Sequence, residues 1–426
     1  MKDFNFVKYL LDKEEYAYLS DFEFCLTLYF YNYGNHFANR SRPKVSFKQY
    51  LKYLAAFVLG NINKYRDIGK SMHHYIISDS YFTINDELEK LGFKATRSPW
   101  SLDKKNPIAF DLDIQKRYKY LASACDSGME VVLSKAFKDN YQTFYKNILD
   151  YIKKIDSPAL FLPADATFYE RILIKAFKQL NKPSFIYLHG GMPSSYDTYR
   201  YNLTDYLLVW GEKMKEEYVK GGFNSKKIIV VGHPYYKQVD AQRTLRFDFD
   251  DVLVMTKPVL GNPKKLEEKA LQDRSNSFLY VYEIQYVLMK LGIKKARLRP
   301  HPSENKDWYL KNIDNSFYSL DHEDLKTSLS KATLVIGPTS TTFVEALYYG
   351  VNYVLYEPAI NNIGMNYIPL TSPFGDNNNE IPTVTTTDEL RVLIKSKKRV
   401  DPSVVGKYIK VPFDLGEVAN IINKSY

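Results

Sequence analysis

Cysteine is the scarcest side chain here: Cys25 and Cys125 are the two present in 426 residues. Two thiols so far apart in sequence build neither a disulfide framework nor a cysteine metal site, so a reducing compartment is expected. Long apolar runs are missing as well. The most apolar stretch, Tyr50 to Gly60, contains Lys52 and falls well short of the roughly 20 residues of a membrane span. The opening residues, Met1 to Val7, lack the basic, apolar and small-residue succession of a secretory signal. Internal repeats and low-complexity tracts are absent too. These gaps favour a cytoplasmic protein, with peripheral contact at the inner face of the cell membrane left open.

What is abundant is tyrosine, with 37, beside 25 phenylalanines, in a chain that is 45% hydrophobic. So much buriable area excludes general disorder, and the length suits two or three domains at about 100 to 200 residues each. Lys and Arg exceed Asp and Glu by 59 to 49, a net charge of +10. That excess fits an anionic membrane surface, or a compositional drift toward Lys and Tyr codons. Nucleic acid is not expected as a partner, because no basic run is interleaved with a recognition motif.

The first third of the chain reads as helical, with amphipathic stretches at Phe47 to Asn61 and Lys135 to Ile155. Between them, His74 to Gly92 reads as a strand running into a helix capped at Asn85 or Asp86 and stopped by Gly92. His73 and His74 are sequence neighbours and are not expected to face one metal ion together. From Ala159 onward short apolar strands alternate with helices, which is the signature of parallel sheets covered on both faces. The polar stretch 237–251 divides two such runs. The expected organisation is a helical region at 1–65 and a Rossmann-like acceptor domain at 66–240. A second Rossmann-like domain at 251–400 would bind a nucleotide, and a tail at 401–426 would pack back on the first.

Three segments carry chemistry. In Leu334 to Gly350 a strand ends at Gly337 and Pro338, and four hydroxyl residues, Thr339, Ser340, Thr341 and Thr342, occupy the turn into a helix. Free N–H groups and hydroxyls there suit a phosphate, with Glu345 one turn on to accept from ribose hydroxyls, although such residues also serve as plain helix caps. In Ala296 to Glu304 a strand delivers Arg299 and His301, with Pro300 and Pro302 fixing the backbone around the imidazole, to neutralise a departing phosphate. In Phe185 to Pro193, Gly190 and Gly191 admit close approach on the acceptor side, and His189 is a candidate base. Asp165, after the preceding strand, is the rival base or a helix cap. Thr256 and Lys257 follow the first strand of the second run and are candidate phosphate contacts. His233 reads as structural, and Asp248 with Asp250 as a solvated acidic turn rather than a metal motif.

In their order and strand-end placement, these residues resemble bacterial glycosyltransferases of the GT-B fold that build surface polysaccharide. The resemblance covers roughly residues 159–360. The group includes sialyltransferases with a His-Pro motif, matched by His301 and Pro302, followed by a Ser/Thr motif, matched within Ser340 to Thr342. CDP-glycerol polymerases of teichoic acid synthesis are similar, and their His-Gly motif is matched by His189 and Gly190. The paired-acid motif that supplies the sialyltransferase base has no counterpart here. Nucleotide-sugar 2-epimerases resemble the chain less, because Thr256, Lys257 and Pro258 replace the acidic and basic residues expected after the first strand of the second run. The resemblance implies inverting transfer of a sugar, with a CMP-activated acidic keto-sugar first among donors, to a capsule or lipopolysaccharide glycan or a lipid-linked acceptor. It implies no cofactor and no metal. A polyol-phosphate transferase, a UDP-sugar-dependent transferase and an inactive glycan-binding protein are the alternatives.

Overall fold

The computed structural model describes residues 12–23, 26, 47–80, 82–102, 106–125, 127–165, 167–188, 203–240, 242–256, 274–302, 304–360, 363–364 and 382–425. Two six-stranded parallel sheets organise them. The first contains β1 (Ile76–Ser78), β2 (Ala95–Thr96), β3 (Leu160–Leu162), β4 (Ser184–Tyr187), β5 (Tyr206–Val209) and β6 (Ile228–Val230), in the order β2-β1-β3-β4-β5-β6. The second contains β7 (Val252–Met255), β8 (Ala296–Arg299), β9 (Tyr318–Leu320), β10 (Leu334–Gly337) and β11 (Tyr353–Tyr356). A small antiparallel pair, β12 (Ala359–Ile360) and β13 (Ile363–Gly364), precedes its last strand, β14 (Thr383–Val384). The order is β14-β11-β10-β7-β8-β9. Counted from its own first strand, this second sheet runs 3-2-1-4-5-6, the order of dinucleotide-binding sheets. Two Rossmann-like α/β units are therefore present, as the alternation of short strands and helices led us to expect.

That order positions the site. From β7 the chain steps outward to β8 and β9, then returns to the other side of β7 as β10, so the carboxyl ends of β7 and β10 flank a topological switch point. The register Leu334↔Val252, Val335↔Leu253 and Ile336↔Val254 brings those two ends level. In the first sheet the switch falls between β1 and β3.

The helices form for reasons visible locally. The Lys135–Ile155 helix starts where Ser134 Oγ accepts the Phe137 N–H at 3.2 Å. It buries Phe137, Tyr141, Phe144, Ile148, Ile152 and Ile155 along one face. Thr167 with Glu170, and Thr386 with Glu389, make reciprocal capping boxes for the Phe168–Gln179 and Thr387–Ser396 helices. In the second sheet successive residues face opposite ways. Leu253, Val335, Tyr353 and Leu355 join a core shared with the first unit, whereas Val252, Val254, Leu334, Ile336, Val354 and Tyr356 form a separate cluster beneath. At roughly 1.5 to 3 kcal/mol for each large apolar side chain, these two layers dominate the favourable side of folding. Tyrosine is a core residue here: Tyr187, Tyr218, Tyr280, Tyr309, Tyr356 and Tyr408 are among the largest fully buried side chains.

One expectation changes. Asn85 and Asp86 lie inside the Phe82–Lys90 helix rather than capping it, while Gly92 does stop it at φ +87°. Stretch 237–251 is largely exposed, as its polarity suggests, but is pinned at its middle. Leu245 and Phe247 are buried within it, and Arg246 exchanges backbone hydrogen bonds with Gly350 and Asn352. The tail packs back on the first unit and also touches the second. Phe343 meets Tyr408 edge-on at 5.3 Å, Lys410 N donates to Trp210 O at 2.7 Å, and Asp414 N donates to Val231 O at 2.9 Å. Gly211 and Gly232 make this docking possible, because a Cβ at either position would lie 2.3 or 2.4 Å from the tail backbone. Among the described residues no helix is long and apolar enough to cross a membrane.

Candidate functional site

Three neighbouring strands, β10, β7 and β8, end side by side, and each contributes a polar residue to the same rim. Thr256 follows β7 and donates its hydroxyl to Glu304 Oε2. The same carboxylate oxygen accepts the His301 N–H at 2.8 Å, and Thr256 Oγ1 lies 3.2 Å from that N–H. Tyr309 Oη donates to Glu304 Oε1 at 2.9 Å. Glu304 is thus the buried knot that ties the end of β7 to the turn after β8. Burial pushes its carboxyl up to about 7, against the lowering pull of the Thr256, His301 and Tyr309 donors. The imidazole of His301 and the ring of Pro302 stand exposed above it. A cavity of about 630 Å³ opens alongside, lined by Arg299, Pro300, Pro302, Glu304, Asn305 and Asp321, among others.

Arg299 is not the free cation that the sequence led us to expect. Its Nη1 is within reach of Asp321 Oδ2 at 2.8 Å, the Glu323 carbonyl at 2.7 Å and Ser328 Oγ at 3.1 Å. Two residues earlier on the same face of β8, Arg297 grips Asp251 with two bonds of 2.7 and 2.8 Å and also meets Asp321. Burial alone would raise Asp321, but the Ser328 hydroxyl and both arginines hold its carboxyl below the usual range. A strand-end arginine beside a buried aspartate is first a structural ion pair, so Arg299 contributes field rather than a free hand.

The hydroxyl turn after β10 is tightly made. Gly337 is required there, since a Cβ would lie 2.1 Å from Tyr353 Oη, which donates to the Pro338 carbonyl at 2.7 Å. Thr339 N donates to Glu357 Oε2 at 2.9 Å, and Thr342 N donates to Ser340 Oγ at 3.3 Å. Ser340 Oγ and Thr342 Oγ1 sit 3.0 Å apart. Thr341 occupies the cap position of the Thr342–Tyr348 helix without a side-chain cap bond. That helix has only seven residues, so its end contributes little dipole, and the hydroxyls are the substantive feature. Glu345, one turn in, accepts from Tyr236 Oη of the first unit at 2.9 Å. Burial raises its carboxyl, with the Tyr236 bond and the Arg299 charge opposing.

On the first sheet, Asp165 follows β3 and is fully buried. Its Oδ2 accepts the Leu203 N–H at 2.6 Å, and burial carries its carboxyl up to about 7 against that bond and one from Thr204. Asp165 is not the cap of the next helix, a role that Thr167 fills. His189, Gly190, Gly191 and Lys257 lie outside the described residues. The residue before His189 is anchored, because Trp210 Nε1 donates to Leu188 O at 2.6 Å. His233 packs 4.5 Å from the Trp210 ring, burial drops its imidazole to about 4, and Nδ1 accepts the Tyr235 N–H at 3.2 Å. It is a neutral core histidine. A second cavity, of about 790 Å³ between residues 237–243 and the tail, touches none of the strand-end residues. The candidate strand-end residues line only the smaller of these two openings.

Sequence reasoning missed Glu304, Asp321, Glu357 and Tyr236. Glu304 had one signal, an acid three residues beyond His301 in a proline turn. The others are brought in by strand order and left none.

No protein-family model matches this chain, and no curated protein sequence does. Among solved structures it is similar to UDP-GlcNAc 2-epimerase from Neisseria meningitidis, at 12% identity over 82% of this chain and 98% of that one, with a TM-score of 0.43. It is similar to the lipopolysaccharide outer core galactosyltransferase WaaB at 11% identity, 83% and 99% coverage and a TM-score of 0.44. For MurG of Acinetobacter baumannii the values are 11%, 86%, 96% and 0.40. At such identities and scores the likeness carries no argument about the reaction, which has to come from the site itself.

Proposed function

We propose that this chain is a nucleotide-sugar-dependent glycosyltransferase of the GT-B type. The observation that carries the reading is the meeting of Thr256, the His301 turn and the Thr339 to Thr342 hydroxyls on three adjacent strand ends at a topological switch point. A nucleotide diphosphate or monophosphate suits that rim of donors, with the His301 imidazole and the hydroxyls of Ser340, Thr341 and Thr342 receiving the charge of the departing phosphate. Arg299, fixed by Asp321, adds positive potential from below. Glu345, held at Oε1 by Tyr236, offers Oε2 to ribose hydroxyls.

Across from this rim the acceptor hydroxyl attacks the anomeric carbon. His189 takes its proton, the bond from sugar to phosphate breaks, and the configuration inverts in a single displacement. Asp165, whose Oδ2 accepts the Leu203 N–H while its buried Oδ1 has no partner, is the rival base. The reading assigns no metal to the step, so transfer is expected to persist in EDTA. CMP- and UDP-activated sugars stand level as donors, and a capsule or lipopolysaccharide glycan, free or lipid-linked, is the acceptor class.

The test is a thermal-shift panel of CMP, CDP, UDP and GDP, followed by transfer assays with the nucleotide that raises the melting temperature most. His301→Ala is expected to abolish transfer with the fold intact, and full activity in that variant overturns the reading. Release of CMP with phosphate retained in the product identifies polyol-phosphate transfer instead. A chain that binds and cleaves no donor is a glycan-binding protein.

A further inference from the structure

His73, His74 and Asp156 converge before β1 and β3, on the edge of the first sheet away from the strand ends described above. Neighbouring residues on a regular strand point to opposite faces, which is why the two histidines were not expected to share a ligand. The backbone defeats that rule. His74 sits at φ +64° and Asp156 at φ +46°, both in the left-handed region that residues other than glycine seldom enter. His73 closes the Ile68–Met72 helix, Asp156 closes the Lys135–Ile155 helix, and His74 N donates to Ile155 O at 2.9 Å. As a result the two imidazoles lie 3.6 Å apart and both present a nitrogen to one carboxylate oxygen. His74 Nδ1 is 3.5 Å and His73 Nε2 is 3.9 Å from Asp156 Oδ2.

We propose that His73, His74 and Asp156 bind a divalent transition-metal ion of the zinc class. Their donor atoms all lie within 4.8 Å of one another. Tetrahedral zinc with bonds of about 2.0 to 2.1 Å sets its ligand atoms roughly 3.3 Å apart, so the side chains need to adjust by no more than about 1.5 Å. Two imidazoles and one carboxylate are a donor set that zinc accepts, with water in the fourth position. Lys182 Nζ holds the other oxygen, Asp156 Oδ1, at 2.5 Å, the kind of outer bond that orients a ligating carboxylate. Its positive charge also weakens the site, which is therefore micromolar rather than nanomolar. The three side chains are 41 to 54% exposed, so the ion enters without any opening of the fold. Bound there, it clips together the turns that lead into β1 and β3, the two strands at the switch point of the first sheet.

The experiment is isothermal titration of the chelator-stripped full chain with zinc sulfate, together with melting curves across the same zinc range. One equivalent is expected to bind in the micromolar range, with a melting temperature that climbs as zinc is added. Asp156→Asn and His74→Asn are expected to weaken binding at least tenfold and to lose the thermal response. Asparagine tolerates the left-handed backbone at position 74, so that variant removes the ligand with little strain. His322→Ala, an exposed histidine elsewhere, is the control that retains both. Absence of a stoichiometric zinc site in the wild type, or equal affinity in Asp156→Asn and His74→Asn, overturns the proposal.

Discussion

Asp165 after β3 and Glu304 after β8 are both buried carboxyls, and the two hold different parts of the chain. Asp165 in the first sheet accepts backbone N–H groups from Leu203 and Thr204, which lie 38 and 39 residues away, so it fixes where the chain re-enters before β5. Glu304 in the second sheet accepts from Thr256, His301 and Tyr309, so it fixes the rim itself. Burial lifts both to about 7. The same physical device, a desolvated acid that accepts from nearby donors, therefore ties down the Leu203 segment in one unit and the turn after β8 in the other.

The sharpest way to break that contrast is Glu304→Ala. It leaves the Thr256 hydroxyl, the His301 N–H and Tyr309 without their acceptor, and we expect a loss of roughly 3 kcal/mol in urea melts with nucleotide affinity down at least tenfold. Unchanged affinity would make Glu304 mere scaffold. A second measurement follows stability with pH. Both carboxyls have folded values above their ordinary 3.8 and 4.5, so between those values and about 7 the folded chain keeps protons that the unfolded chain has released. Stability should fall as pH rises through that window, by on the order of 3 kcal/mol for each group, and then level off. Asp165→Asn and Glu304→Gln should each remove one part of the slope. Asp165→Asn also sharpens the comparison in catalysis. A brace loses less than about tenfold in transfer, whereas a thousandfold loss would make Asp165 the base. The smallest effect belongs to Tyr236→Phe. Removing the bond to Glu345 should cost about 1 kcal/mol and raise KM for the donor while leaving kcat nearly intact.

Much of this was legible in the sequence, and unevenly so. The second unit announced itself, because β7, β10 and β11 are continuous apolar runs alternating with helices. The Lys135–Ile155 helix was equally plain from its spacing of Phe, Tyr and Ile. Two-residue strands such as Ala95–Thr96 and Thr383–Val384 carry no periodicity to detect, and only their parallel neighbours make them strands. The hydroxyl turn and the His301 turn could be named from sequence, but their adjacency follows from the β10-β7-β8 order, which no local pattern encodes. Arg299 was misjudged for the same reason. Its partner Asp321 is 22 residues away and arrives through β9. His73 and His74 were set aside by a rule for regular backbone, and the left-handed turn at position 74 is outside that rule.

The chain passes between the two units twice, once near residues 240–250 and again near 400–410, where Val400 N is held by Asn352 and Lys410 N by Trp210. A single tether would let one unit swivel about any axis relative to the other. Two separated crossings remove most of that rotational freedom, and the core that Leu253, Val335, Tyr353 and Leu355 share with the first unit adds a third restraint.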